Sequence, residues 1–127
     1  MNDASMTIVS NPFGNASFIS LRTILARAKS YLRADGIVVA LVKPQFEAGR
    51  ERLGKGGVVR DPGVHRAVLH EVIAASRELG LVATALVPSP LLGPAGNREF
   101  LLELRRDGDP LPDARIEDAV VEESAKP

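Results

Sequence analysis

The sequence predicts an α/β fold whose sheet is mostly parallel and finishes with an antiparallel strand. Three observations carry this. Short apolar, β-branched runs recur at 7–9, 36–42 and 81–87. The two stretches between them space their apolar residues as helices do. A fourth apolar run, 99–104, follows the third through a turn-rich loop, as in a wide hairpin. Strands alternating with helices mean a parallel sheet with helices on its faces, and a strand returning directly from its predecessor runs antiparallel.

Thr7-Ile8-Val9 is a β-branched strand halted at Asn11-Pro12. Ser20 can cap a helix in which Leu21, Ile24, Leu25, Ala28 and Leu32 line one side, and Asp35-Gly36 breaks it. The unbroken apolar run from Gly36 to Val42 is expected of a strand covered on both faces. Residues 44–60 read as a long glycine-rich loop. Asp61-Pro62 is a helix start, with Asp as N-cap and Pro in the first turn. Val68, Leu69, Val72, Ile73 and Leu79 make that helix's apolar stripe, and Gly80 ends it. Leu81–Val87 is the next strand, Pro88–Asn97 a loop, and Glu99–Leu104 the last strand. Residues 107–127 carry seven acidic residues and several prolines and are expected to be a disordered tail.

The composition narrows the functional classes. The chain has 127 residues, no cysteine and two histidines, which leaves no thiolate metal site or disulfide framework. His65 and His70 are five apart, off the i, i+4 spacing of a helical metal pair, and are read as solvated helix residues without a metal role. No run approaches the roughly 20 apolar residues of a membrane span, so a soluble, cytoplasmic protein is expected. Net charge is zero, yet residues 1–60 hold nine Lys/Arg against four Asp/Glu, and residues 61–127 the reverse imbalance. The basic half contains Lys43 and the loop with Arg50, Arg52, Lys55 and Arg60. That loop suits phosphate, although a solvated loop with no partner has the same charges.

Lys43 closes one apolar strand and Glu99 opens another, each beside a proline–glycine loop. Ligands of open α/β sheets bind at strand ends, and a lysine there needs a polar reason. Cation and carboxylate are expected to share a pocket; an exposed ion pair of little energetic weight is the alternative.

Four segments are recognisable together: Ser17-Phe18-Ile19-Ser20-Leu21-Arg22, Leu41-Val42-Lys43-Pro44-Gln45-Phe46-Glu47-Ala48-Gly49-Arg50, Gly54-Lys55-Gly56-Gly57-Val58-Val59-Arg60-Asp61-Pro62, and Ser89-Pro90-Leu91-Leu92-Gly93-Pro94-Ala95-Gly96-Asn97-Arg98-Glu99-Phe100. In this order they resemble the TlyA family, called hemolysin A in older naming, within the FtsJ-like ribosomal RNA 2'-O-methyltransferases. The resemblance runs over 15–106. It sets apart 1–14 as an atypical N-terminal segment and 107–127 as the tail. It implies the C-terminal half of a Rossmann-like sheet, S-adenosylmethionine as methyl donor, and ribosomal RNA or ribosomal subunits, not DNA, as partner. The family's S4-type domain, its first strands with their glycine-rich turn, and an early lysine have no counterpart here. Weak donor binding and self-association through an uncovered sheet edge are therefore expected.

By the same resemblance Lys43 is the central lysine and Glu99 the supporting carboxylate of a Lys-Asp-Lys-Glu tetrad. Asn15 stands at the family's aspartate position, where it can accept a hydrogen bond but brings no charge. Gln45, Phe46 and Asn97 are candidate substrate-positioning residues, though packing or turn formation explains each as well. Arg50, Arg52, Lys55 and Arg60 are candidate RNA contacts. Lysine chemistry suits this reaction because a ribose 2'-hydroxyl is a poor nucleophile. It needs in-line placement and help with its proton. Non-catalytic binding of RNA or a partner, and a degenerate reading frame with no stable fold, are the competing readings.

Overall fold

The computed structural model describes residues 6–10 and 21–124. The order of elements is β1 (Met6–Ser10), α1 (Leu21–Tyr31), β2 (Ile37–Val42), α2 (Pro44–Glu47), α3 (Pro62–Glu78), β3 (Val82–Pro88), β4 (Phe100–Arg105) and α4 (Asp113–Ser124). The four strands form one mixed sheet in the order β1-β2-β4-β3. β1 and β2 are parallel, while β4 is antiparallel to both of its neighbours, β2 and β3. Three strands thus run one way, and the last is inserted between the second and third.

The core follows from the two-residue period of the strands. Val38, Ala40 and Val42 of β2, Phe100, Leu102 and Leu104 of β4, and Ala83 and Leu86 of β3 point to one face and are buried. Onto it pack Leu21 and Leu25 of α1, Val68 and Leu69 of α3, and Ile116, Ala119 and Val120 of α4. The helices lie side by side there, α1 against α3 and α3 against α4. Ile37, Val39 and Leu41, on the opposite face of β2, are only half-buried. The apolar run of β2 was expected to be covered on both faces; among the described residues the helices cover one.

Local chemistry sets the helix ends. Asp61 Oδ1 accepts from the Gly63 N–H at 2.8 Å, with Pro62 beginning α3, as the sequence indicates. Gly80, at φ 81°, terminates that helix in a left-handed conformation costly for other residues. The terminal carbonyls of α1 are satisfied from a distance. Arg106, just beyond β4, donates through Nη2 to Lys29 O at 2.9 Å and Leu32 O at 2.7 Å. A cation there also complements the helix dipole.

The C-terminal segment corrects the expectation of a disordered tail. Ile116, Ala119 and Val120 stand at i, i+3 and i+4, so α4 hides an apolar stripe among acids and docks it on α3 and β3. Arg66 of α3 donates to both carboxylate oxygens of Glu117, and this hydrogen bonding holds the Glu117 carboxyl below the usual carboxylate range. The loop leading to α4 and the first turn of α4 also shield the outer edge of β3: Leu111 N–H donates to Ala83 O at 2.9 Å, and Arg115 Nε donates to Leu86 O at 3.0 Å. A second correction concerns His65. It is buried, and only His70 is exposed.

Replacing Ile116 by Ala should lower the unfolding free energy by about 3 kcal/mol in urea titration, the usual scale for a large aliphatic truncated in a packed core. A change under about 0.5 kcal/mol would mean that α4 is not part of the cooperative unit.

Candidate active site at the carboxyl edge of the sheet

Register brings the two chemistry-bearing residues to one place. β2 ends at Val42, whose partner is Phe100, the first residue of β4. Lys43 follows Val42 in extended conformation (φ −113°, ψ 98°), and Glu99 precedes Phe100. They therefore continue the antiparallel pairing by one step and share the strand face of Leu41 and Leu101. Pro44 then opens the single turn of α2, which swings Gln45 back over the edge.

The contacts differ from a simple ion pair. Gln45 Nε2 donates to Glu99 Oε2 at 2.7 Å, and both side chains are buried, Gln45 at 4% and Glu99 at 7% exposure. The Lys43 ammonium lies 5.1 Å from the centroid of the Phe46 ring, over its face. No ion pair joins Lys43 to Glu99 among the described residues. The carboxylate is thus fixed by a neutral amide, and the lysine is half-buried beside it with its charge against an aromatic face. Gly93 completes the enclosure: a Cβ there would collide with Glu99 Oε2. The loop backbone can approach the carboxylate this closely only without a side chain. Its base is tied down by Ser89 N–H to Glu99 O and Gly93 N–H to Asn97 O, both 2.8 Å.

Asn97 is turned inward. At 2% exposure, its Oδ1 accepts from Val59 N–H at 2.9 Å and its Nδ2 donates to Gly57 O at 3.2 Å. An amide carries both an acceptor and donors, which suits it to tying one loop to another. Val59 is held from its other side by His65, whose Nε2 lies 2.9 Å from Val59 O; the ring also meets Phe100 edge-on at 5.7 Å between centroids. Sequence reasoning missed His65, although His65, Val68, Leu69, Val72 and Ser76 form one buried stripe of α3. That spacing was the available signal.

The basic residues separate into two kinds. Arg52 is committed to α3, with Nη1 and Nη2 donating to the two carboxylate oxygens of Glu71 at 3.0 and 3.1 Å and Nε donating to Ala48 O at 2.6 Å. The Glu71 hydrogen bonds raise its pKa further, and they hold the guanidinium against α3. Lys55 and Arg60 are exposed at the tip of the glycine-rich loop, where Arg60 Nη1 donates to Lys55 O at 3.2 Å. Gly54 N–H closes this loop onto Val58 O at 2.8 Å. The Arg50 side chain and Asn15 lie outside the described residues.

A lysine and a carboxylate thus stand at the carboxyl ends of the strands, where open α/β sheets bind their ligands. An FtsJ-like methyltransferase model matches residues 2–106, beginning at 2 where the motifs alone suggested 15, and the chain belongs to that family. YqxC of Bacillus subtilis is 47% identical over 88% of this chain. The Mycobacterium tuberculosis 16S/23S rRNA (cytidine-2'-O)-methyltransferase TlyA is 43% identical over 82%. A solved structure of a Lactococcus lactis protein carrying a hemolysin name superposes with a TM-score of 0.81 at 41% identity, covering 94% of this chain and 56% of that one. The chain spans about two fifths of the curated relatives, 41% of YqxC and 39% of TlyA.

S-adenosylmethionine, which the family implies, does not find a cradle among the described residues. The Glu99 carboxylate is held by Gln45, the Asn97 amide is spent between two loops, and Gly93 closes on a carboxylate oxygen instead of leaving space.

Replacing Gly93 by Ala should break the Gln45–Glu99 hydrogen bond and cost about 1–3 kcal/mol, the scale of overpacking. A shift of the Gln45 side-chain amide resonances, with a lowered melting temperature, is the expected result; unchanged resonances would show that the loop yields freely.

Proposed function

We propose that this chain is the RNA-facing part of a TlyA-type ribosomal RNA 2'-O-methyltransferase, working in the cytoplasm on ribosomal RNA or subunits and drawing its methyl group from S-adenosylmethionine. The observation that carries the reading is the register of β2 and β4, which ends with Val42 opposite Phe100 and so sets Lys43 and Glu99 side by side. In this reading Lys43 supplies a positive charge to the ribose 2'-oxygen as it loses its proton. The Phe46 face beside the ammonium excludes water from one side of it. Glu99, oriented by Gln45, keeps negative charge within reach of the substrate hydroxyl. Asn15 belongs to the same group through its place in the family pattern. Lys55, Arg60 and Arg50 contact phosphates.

The test replaces the matching portion of the mycobacterial enzyme with this chain and follows labelled methyl incorporation into ribosomal RNA. Lys43→Ala should reduce the rate at least about 100-fold and Glu99→Gln about 10-fold or more, with RNA affinity unchanged. A chimera that binds RNA yet transfers nothing would favour the second reading, a non-catalytic RNA- or partner-binding module. The exposed Lys55–Arg60 tip supports that second reading.

Self-association through β1 belongs to the proposal as well. β1 is an edge strand that leaves Met6 56% and Ile8 70% exposed. Sedimentation should show dimer at tens of micromolar and monomer after Ile8→Lys; a monomer throughout would remove this element.

A further inference from the structure

The described residues contain a buried polar bridge that the reaction chemistry does not use. It links three separate parts of the chain: the glycine-rich loop at 54–60, the start of α3, and the turn before β4. Val59 is its centre. The backbone N–H of Val59 donates to Asn97 Oδ1, and its carbonyl lies 2.9 Å from His65 Nε2. A carbonyl only accepts, so Nε2 carries the proton. Asn97 reaches further to Gly57 O, and His65 leans edge-on against Phe100, the residue next to Glu99. Val59, Asn97 and His65 are all nearly inaccessible, at 2%, 2% and 3% exposure.

We infer that Asn97 and His65 are positioning residues: they clamp Val59 from both sides and so hold the exposed Lys55 and Arg60 at a fixed distance from the Lys43–Glu99 edge. The inference rests on the RNA-facing role proposed above and adds what keeps the two halves of that surface in register. The glycine-rich loop needs such a device. Gly56 and Gly57 sit at φ 75° and 76°, and a Cβ on either would meet nothing within 4 Å. The tip is therefore conformationally permissive and unsupported by packing. Without a tether, two cations on this loop would sample many positions, and the cost of ordering them would leave both phosphates uncontacted in the complex. With Val59 pinned, that order exists before the RNA arrives. Asn97 lies two residues before Glu99, so the same turn sets both the carboxylate and the cationic tip.

The experiment uses the full chain and a short single-stranded RNA of ribosomal sequence, with affinity measured as a function of potassium chloride. Each phosphate contact on a single strand contributes about 0.7 to the slope of log K against log salt. Asn97→Ala and His65→Leu should each lower the slope by about 1.4, as does the double change Lys55→Gln with Arg60→Gln. Combining Asn97→Ala with that double change should lower it no further. His65→Gln, which keeps a donor for Val59 O, should restore the wild-type slope. Should Asn97→Ala lose its cooperative melt, His65→Leu carries the comparison, removing the donor to Val59 O.

A lowered melting temperature with an unchanged slope would overturn the inference, since a purely structural bridge has that signature. Amide exchange separates this failure from failure of the functional reading. If the wild-type chain shows no salt-dependent RNA binding, the proposed function falls and the clamp is judged without RNA. It then stands only if Val59 N–H exchanges at least tenfold faster in Asn97→Ala than in wild type, and equal exchange overturns it.

Discussion

β4 runs against both of its neighbours, and almost everything else in the molecule is placed by that insertion. Its alternate residues Phe100, Leu102 and Leu104 form the middle of the buried face, and its two edges satisfy β2 on one side and β3 on the other. A strand so placed has no register freedom. A slip of one residue would send three large apolar side chains to the half-exposed face and bring Glu103 into the core. The same fixed register sets Glu99 against Lys43, lets Gly93 close over the carboxylate, and delivers Arg106 to the end of α1. Packing and site geometry are consequences of one alignment.

The polar groups of the molecule serve two ends. Exposed ion pairs such as Arg22 with Glu78 contribute little by themselves. Buried amides have larger effects, because an unmet donor or acceptor in the interior is costly. Gln45 orients a carboxylate that could otherwise turn toward any cation nearby, and Asn97 joins two loops that α3 and β3 separate in the chain. Arg52 shows how misleading charge is without geometry. It belongs by sequence to a basic loop, yet three of its five donors are engaged by Glu71 and Ala48.

Much of this was legible in the chain. Strand runs, the Asp61-Pro62 helix start and the apolar stripe of α3 report local periodicity and capping, which belong to the sequence itself. The nearness of positions 43 and 99 along the chain ends of β2 and β4 was legible because strand ends converge at a sheet edge. α4 was not, since seven acids and several prolines outweighed a stripe of three buried residues whose value appears only once α3 and β3 offer a surface. The burial of His65 and Asn97 was hidden for a related reason. Both are polar types common on surfaces, and their burial depends on Val59 arriving from a different loop. Long-range backbone partners leave no trace in spacing.

The two margins of the sheet are unlike. Along β3 the chain has turned back and spent outward carbonyls on Leu111 and Arg115, whereas nothing among the described residues pairs with the far side of β1. A sheet with one protected margin cannot polymerise by strand stacking, because a newcomer added at the bare side presents only a sealed one to the next. Two copies meeting there back to back would form a closed pair with no growing end. The acidic C-terminal segment, by folding against β3, denies that margin of the sheet to a further strand.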